Sequence, residues 1–326
     1  MTQRDALGHR YTLLQPQPAA MRGVAARGRG LIGTLLAGLV LAWFGGGNAF
    51  AADAINVVGV ENEYADVISQ IGGTYVQVTA IETDPNTDPH TFEVSPQVAK
   101  QIAAAQLIVK NGLGYDSWVD KIIAAAPSAG RKVIDAQQLL GLPDSTRNPH
   151  LWYDPKTMPA IAKAVADGLS ALDPAQASYF KDNATKFEAS LKPWTTAIAS
   201  FKASHAGTPV AVTEPVGDYM LQAIGCNILT PFSLEAAIMN GTDPSPQDVT
   251  TQNDLFNGHK VQVFVYNQQV TDSLTTTFLA LAKKNGIPVV GVYETMPTGY
   301  HYQSWMEAEV AAMLKAVTKK ESTEKL

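Results

Sequence analysis

The sequence predicts an α/β protein of two lobes, each built on a roughly four-stranded parallel sheet flanked by helices and joined by one long connecting helix. Three observations carry this. Short aliphatic runs alternate with amphipathic stretches over residues 52–172, the alternation stops over 173–206, and it resumes over 207–326. Strands alternating with helices of this length indicate βαβ units and a parallel sheet. A strandless stretch with one apolar face reads as a helix linking two such units.

In the first half the strand candidates are Ile55–Val60, Val76–Ile81, Leu107–Asn111 and Lys132–Asp135. Tyr64–Ile71, Pro96–Ala105 and Trp118–Ala126 are the helices between them, and a helix over Pro155–Leu172 closes the lobe. Asp173-Pro174 then offers an N-cap followed by proline at the first helical position. Phe180, Phe187, Leu191, Trp194, Ile198 and Phe201 recur at spacings of 7, 4, 3, 4 and 3, one apolar face of a helix reaching about His205. Pro193 lies inside it and predicts a kink or break near Ala189. In the second half the strands are Pro209–Val212, Ile228–Thr230, Val261–Tyr266 and Val289–Tyr293, with helices over Val216–Ile224, Ser245–Gly258, Asp272–Asn285 and Tyr302–Lys319. The charged tail beyond Thr318 reads as frayed.

Residues 1–51 stand apart. Arg22, Arg27 and Arg29 precede an apolar run from Leu31 to Phe44, and Ala49-Phe50-Ala51 supplies small residues where a signal peptidase reads. Basic region, short apolar core and A-x-A site form a secretory signal peptide, removed after export. The run is too short for a good membrane span of ~20 residues. Met21 is an alternative start to Met1. No cysteine follows the run, so a lipid anchor is not expected, and the chain reads as a soluble, periplasmic monomer without direct membrane anchor. Removing five arginines and one aspartate takes the net charge from −6 to about −10. So acidic a chain, with no basic stripe, is a poor nucleic-acid binder. Cys226 is the single cysteine, which excludes an intramolecular disulfide, and its apolar surroundings make it a core residue.

Two stretches share one frame: Asp88-Pro89-His90-Thr91-Phe92-Glu93-Val94-Ser95-Pro96 and Asn148-Pro149-His150-Leu151-Trp152-Tyr153-Asp154-Pro155. Each sets a histidine directly after a proline, then an aromatic, then a carboxylate near a second proline. The first proline ends regular structure, and the later one suits a new helix. Both histidines therefore fall on short, stiff loops opening onto helices. In open α/β sheets ligands bind beyond the carboxyl ends of the strands. Glu214 follows the strand Pro209–Val212 and Glu294 follows Val289–Tyr293, so His90, His150, Glu214 and Glu294 form a candidate metal set drawn from both lobes. His301, on the same loop as Glu294, is the alternative fourth ligand, whereas His205 and His259 read as surface residues. Asp154, Glu93 and Asp116 are candidates for orienting the histidines, and Trp118 and Trp152 for walling the cleft from water. Mixed imidazole and carboxylate ligation suits Zn²⁺ or Mn²⁺, with Fe²⁺ also compatible.

These motifs resemble those of the metal-binding solute receptors of ABC importers, the cluster A-I family that takes up zinc and manganese. Asp88–Pro96 is similar to the family's D-P-H-x-[YF]-E-x-S-P loop, Asn148–Pro155 to its [DN]-P-H-x-W-x-D-P loop, and Asn111–Trp118 to its N-G-x-x-x-[ED]-x-W segment. The resemblance covers essentially the whole chain after residue 51. It implies two lobes on a rigid helix, one divalent transition metal held between them as cargo, and delivery of that ion to a membrane permease with modest lobe movement. His90 and His150 match the family's histidines. Glu214 falls where the family places a His or a Glu. The fourth ligand is usually an Asp, and the nearest acid here is Glu294, about one position displaced. The loop from Ile81 to His90 lacks the histidine-rich insert associated with zinc members, and a His₂-carboxylate set resembles manganese members. Two other readings compete: a secreted zinc-dependent hydrolase, and an adhesin-like interaction protein. No H-E-x-x-H, G-x-S-x-G or Walker loop supports an enzyme.

Overall fold

The structure, a computed structural model, describes residues 54–326; the expected signal peptide lies outside the described residues. The first half runs β1 (Ile55–Glu61), α1 (Asn62–Gly72), β2 (Val76–Glu82), α2 (Pro96–Ala104), β3 (Leu107–Lys110), α3 (Ser117–Ala125), β4 (Lys132–Asp135), a single-turn α4 (Ala136–Leu139) and α5 (Thr157–Leu172). Two helices follow, α6 (Ala177–Ser190) and α7 (Lys192–His205). The second half runs β5 (Pro209–Val212), α8 (Asp218–Ala223), β6 (Asn227–Ile228), α9 (Phe232–Met239), α10 (Pro246–Asn257), β7 (Val263–Asn267), α11 (Ser273–Lys284), β8 (Val289–Val292) and α12 (Tyr302–Lys319).

The two sheets have orders β2-β1-β3-β4 and β6-β5-β7-β8, and every pairing is parallel. Their registers include Val57↔Val78 and Val57↔Leu107 in the first sheet and Val210↔Val263 in the second. In both, the order reverses beside the first strand of the unit, the place where such sheets open a crevice at their carboxyl ends. All four residues of β3 are buried and so are all five of β7, as expected for strands covered on both faces.

The connector is broken rather than continuous. Leu191 separates α6 from α7, and Pro193 occupies the second position of α7, where its missing N–H costs no helical bond. Both pieces feed one core. Phe180, Phe187, Trp194 and Phe201 belong to a single hydrophobic cluster with Val57, Tyr64 and Trp152 of the first half and Val212, Tyr302 and Trp305 of the second.

A polar stripe on α1 ties down the loop after β8. Asn62 Nδ2 donates to Met296 O at 2.9 Å while Met296 N donates to Asn62 Oδ1 at 2.9 Å. Asp66 accepts from Tyr302 N at 2.8 Å and pairs with His301 Nδ1 at 2.7 Å, and Gln70 exchanges two bonds with Gln303. These residues recur every fourth position and so share one helix face.

The tail differs from expectation. Lys320 closes α12 in the left-handed region, and the chain then joins the second sheet's edge. Gly291 N donates to Thr323 O and Thr323 N donates to Val289 O, each at 2.8 Å. The pairing requires Gly291, since a Cβ there would collide with Glu324 O. Backbone pairing outweighs the solubility of the charged side chains.

Candidate metal centre

Each half of the repeated frame folds by the same local device. Asp88 Oδ1 accepts the N–H of His90 at 2.8 Å, and Asn148 Oδ1 accepts that of His150 at 3.0 Å. Side-chain oxygens that bond two residues on form Asx turns, which fix the prolines' neighbours without a helix. Short 3₁₀ turns follow, Pro89–Thr91 and Leu151–Tyr153. His90 comes from the loop after β2, His150 from the loop after α4, and Glu294 from the loop after β8.

The three side chains converge. Glu294 Oε2 lies 3.2 Å from His90 Nε2 and 3.2 Å from His150 Nε2. Their ligand atoms all lie within 4.8 Å of one another, the one such group of His, Cys, Asp or Glu among the described residues. His150 and Glu294 are fully enclosed, whereas the His90 ring remains 23% exposed. Glu214, after β5, stands outside that group. Its Oε1 accepts from Asn267 Nδ2 at 3.1 Å, and the same nitrogen donates to Glu294 Oε1 at 2.8 Å. Glu214 Oε2 is buried with no hydrogen-bond partner.

The tautomer of His150 follows from its neighbours. Asn148 Nδ2 donates to Pro215 O at 2.7 Å, which turns the amide oxygen toward the ring, and His150 Nδ1 donates to that oxygen at 2.8 Å. A neutral imidazole protonated at Nδ1 carries a lone pair at Nε2. That lone pair faces the Glu294 carboxylate. Two electron-rich atoms 3.2 Å apart are held there by a proton or by a cation. Burial shifts His150 downward, disfavouring the extra proton, so a cation fits this pair of donors. His90 moves the other way: burial opposes its charged form, and contact with Glu294 more than offsets it. Burial would likewise raise Glu294, but the two imidazoles hold it well below the ordinary carboxylate range.

The family model described as "Zinc-uptake complex component A periplasmic" (ZnuA) matches residues 57–316. The chain belongs to this family. ZnuA-family proteins are substrate-binding components of metal ABC transporters that act outside the cytoplasm with a membrane permease, and they are not enzymes; the hydrolase reading therefore falls. Among curated relatives, the chain is 28% identical over 150 residues to the "Metal ABC transporter substrate-binding lipoprotein SloC" of Streptococcus mutans, covering 42% of this chain and 49% of that protein. The chain thus spans about half the length of that relative. Among solved structures, one titled "Crystal structure of ZnuA" superposes with a TM-score of 0.66 at 22% identity, over 82% of this chain and all of that one. The Mn²⁺ complex of the Pseudomonas aeruginosa protein FpvC superposes with a TM-score of 0.67 at 19% identity, again over 82% of this chain and all of that one. At such identities these likenesses show the fold.

In this ZnuA-family chain the groups around the cluster differ in part from the expected ones. Asp154 caps the next turn, accepting from Lys156 N at 3.0 Å, and the orienting contact on His150 comes from Asn148. Glu93 is exposed, with no hydrogen bond to His90 among the described residues. Asp116 shapes the loop beside the cluster, accepting from Asn111 N at 2.6 Å and Gly112 N at 3.0 Å. Trp152 lies 5.4 Å from the His150 ring, centre to centre, whereas Trp118 stacks on Phe92 at 4.9 Å. His301 is turned to Asp66, on the surface.

Three residues escaped sequence reasoning. Tyr115 donates its hydroxyl to Glu294 Oε2 at 3.0 Å, and its ring stands 5.0 Å from that of His90. Asn267 joins the two carboxylates. Gln269 Oε1 accepts from Glu294 N at 2.6 Å and Thr295 N at 2.9 Å, while its Nε2 donates across to Thr87 O at 2.7 Å. Asn267 ends β7, and position at a strand's carboxyl end was the one signal that could have found it.

Behind the cluster lie more acids. Glu61, Glu63 and Glu82 are buried with both carboxylate oxygens unpartnered. Burial, aided by neighbouring carboxylates, pushes all three upward, Glu63 to about 8.

Proposed function

We propose that this protein captures one divalent transition metal ion, Zn²⁺ or Mn²⁺, on His90, His150 and Glu294, with Glu214 as the fourth donor, and presents it to its permease. The observation that carries this reading is the inward lone pair of His150 Nε2, fixed by Asn148 and facing Glu294. Glu214 joins through its unpartnered Oε2, its Oε1 already accepting from Asn267 Nδ2. By the Irving–Williams order such a nitrogen–oxygen set holds Zn²⁺ more tightly than Mn²⁺, leaving geometry to decide which ion is carried. The relatives named as lipoproteins differ here in one expected respect: we read this chain as cleaved after Ala51 and released into the periplasm as a monomer bound to neither membrane nor nucleic acid. No helix among the described residues is long and apolar enough to cross a membrane.

The test is elemental analysis of the exported protein, with competitive titration of Zn²⁺ and Mn²⁺ followed by thermal melting. One tightly held equivalent that raises Tm supports the reading and ranks the metals. A folded protein whose Tm ignores both ions refutes it. The N-terminal sequence and sedimentation of the exported form test the release and the monomer.

A further inference from the structure

Asn267 ends β7, and β7 lies between β5 and β8 in the order of the second sheet. A side chain at its carboxyl end therefore sits between the loops that carry Glu214, after β5, and Glu294, after β8. Asn267 is fully buried. Its amide is held one way round, because Gln269 N donates to Asn267 Oδ1 at 3.0 Å and leaves the nitrogen facing the carboxylates. An amide nitrogen has two protons to give. Nδ2 donates to Glu214 Oε1 at 3.1 Å and to Glu294 Oε1 at 2.8 Å.

The four carboxylate oxygens are thereby divided. Oε1 of each glutamate accepts from Asn267. Oε2 of Glu294 faces both imidazoles at 3.2 Å, and Oε2 of Glu214 has no partner. Chelation through both oxygens of either carboxylate would turn its Oε1 off the shared nitrogen and strand a buried N–H, which costs more than a bond exchanged with water. Nor is the Glu294 backbone free to follow, since Gln269 Oε1 accepts from Glu294 N at 2.6 Å and Thr295 N at 2.9 Å. Two imidazole nitrogens and one oxygen from each glutamate make four donors, the number Zn²⁺ takes in closed protein sites. Mn²⁺ favours octahedral surroundings, which these four residues supply only when both carboxylates chelate.

Resting on the metal reading above, we infer that Asn267 is the positioning residue that sets cargo selectivity. By holding Glu214 and Glu294 to one oxygen each, it limits the protein's donors to four and favours Zn²⁺ over Mn²⁺ beyond the order intrinsic to the two ions.

The experiment measures Zn²⁺ and Mn²⁺ affinities by competitive titration, and the visible absorption of Co²⁺-loaded protein, for the wild type, Asn267→Leu and Asn267→Ser. Leucine keeps the volume and removes both N–H donors. Serine serves if the leucine variant does not fold, because its single hydroxyl proton can hold at most one carboxylate. The wild type should show the intense bands of four-coordinate Co²⁺, and the variants weaker ones as their carboxylates chelate. The ratio of Zn²⁺ to Mn²⁺ affinity should fall about tenfold in Asn267→Leu, the worth of a hydrogen bond that chelation no longer breaks. A merely structural role would weaken both metals by the same factor, so an unchanged ratio overturns the inference. So does a six-coordinate Co²⁺ spectrum in the wild type, which needs no variant. Either result leaves the metal site standing. A folded wild type that binds none of the three ions removes the metal reading and this inference together.

Discussion

Tyr115 and Glu294 are joined by a 3.0 Å hydrogen bond that spans 179 residues of sequence and links the loop after β3 to the loop after β8. The phenol contacts the same carboxylate oxygen as both imidazoles. Once an ion takes the imidazole lone pairs, Tyr115 and Asn267 remain as the neutral donors that hold the carboxylate in place. Tyr115→Phe should therefore weaken metal binding roughly tenfold. Calorimetric titration of the variant checks this, and unchanged affinity would reduce Tyr115 to a cover over the histidines.

Asn148 governs His150 from outside the cluster. Asn148→Leu removes the acceptor for Nδ1 and frees the ring to take its other tautomer, so affinity should fall by about 10- to 100-fold. Nitrogen NMR of the histidine ring reads the tautomer directly. A ring still protonated at Nδ1 in the variant would show that Asn148 does not select it.

Glu294 and His301 share a loop but not a direction. His301 is occupied with Asp66, so His301→Ala should leave metal affinity within about twofold, whereas Glu294→Ala should cost several orders of magnitude. The reverse order in a competition assay would move the proposed ligand to His301.

Much of this was readable in the chain. The strands were legible because their short aliphatic runs are bounded by turn residues, the repeated proline–histidine frame located His90 and His150, and strand ends located Glu214 and Glu294. What was missed has a physical cause in each case. Helix α9, Phe232–Met239, spreads Phe232, Leu234, Ile238 and Met239 around its circumference, so no polar face announced it. Tyr115, Asn267 and Gln269 act through tertiary hydrogen bonds, which leave no period in sequence. The tail was read from its charge, while its backbone bonds to β8 decide its place.

That pairing is testable. Gly291→Ala should destabilise the full chain by about 1–3 kcal/mol, because the new methyl meets the backbone of Glu324. In a chain ending at Lys320 the same substitution should be near neutral, the obstacle being gone. Denaturant melts of the four proteins complete the cycle, and equal costs in both backgrounds would place the strain elsewhere.

Glu309 supplies a pH dependence away from the cluster. It is fully buried, accepts from Trp305 Nε1 at 3.0 Å, and has its other oxygen unpartnered. Burial raises its carboxyl from an ordinary 4.5 to about 8. The folded state thus binds the proton more tightly than the unfolded one. Its contribution is fully present below about 4.5 and is lost as pH rises through about 8. Glu309→Gln should remove a decline on the order of a few kcal/mol across that window. Unfolding free energies at several pH values check it; a wild-type curve no steeper than the variant's would contradict the assignment.

The hydrophobic cluster that runs from Val57 through Trp194 to Trp305 has a thermodynamic consequence. Two sheets with separate cores would melt as two calorimetric events. Here α6 and α7 are structural members of both halves, so neither half retains a closed interior without the other. A single cooperative transition is expected, with calorimetric and van't Hoff enthalpies in agreement. Either half expressed alone should collapse without fixed side-chain packing, its aromatic faces open to dyes that seek apolar surface.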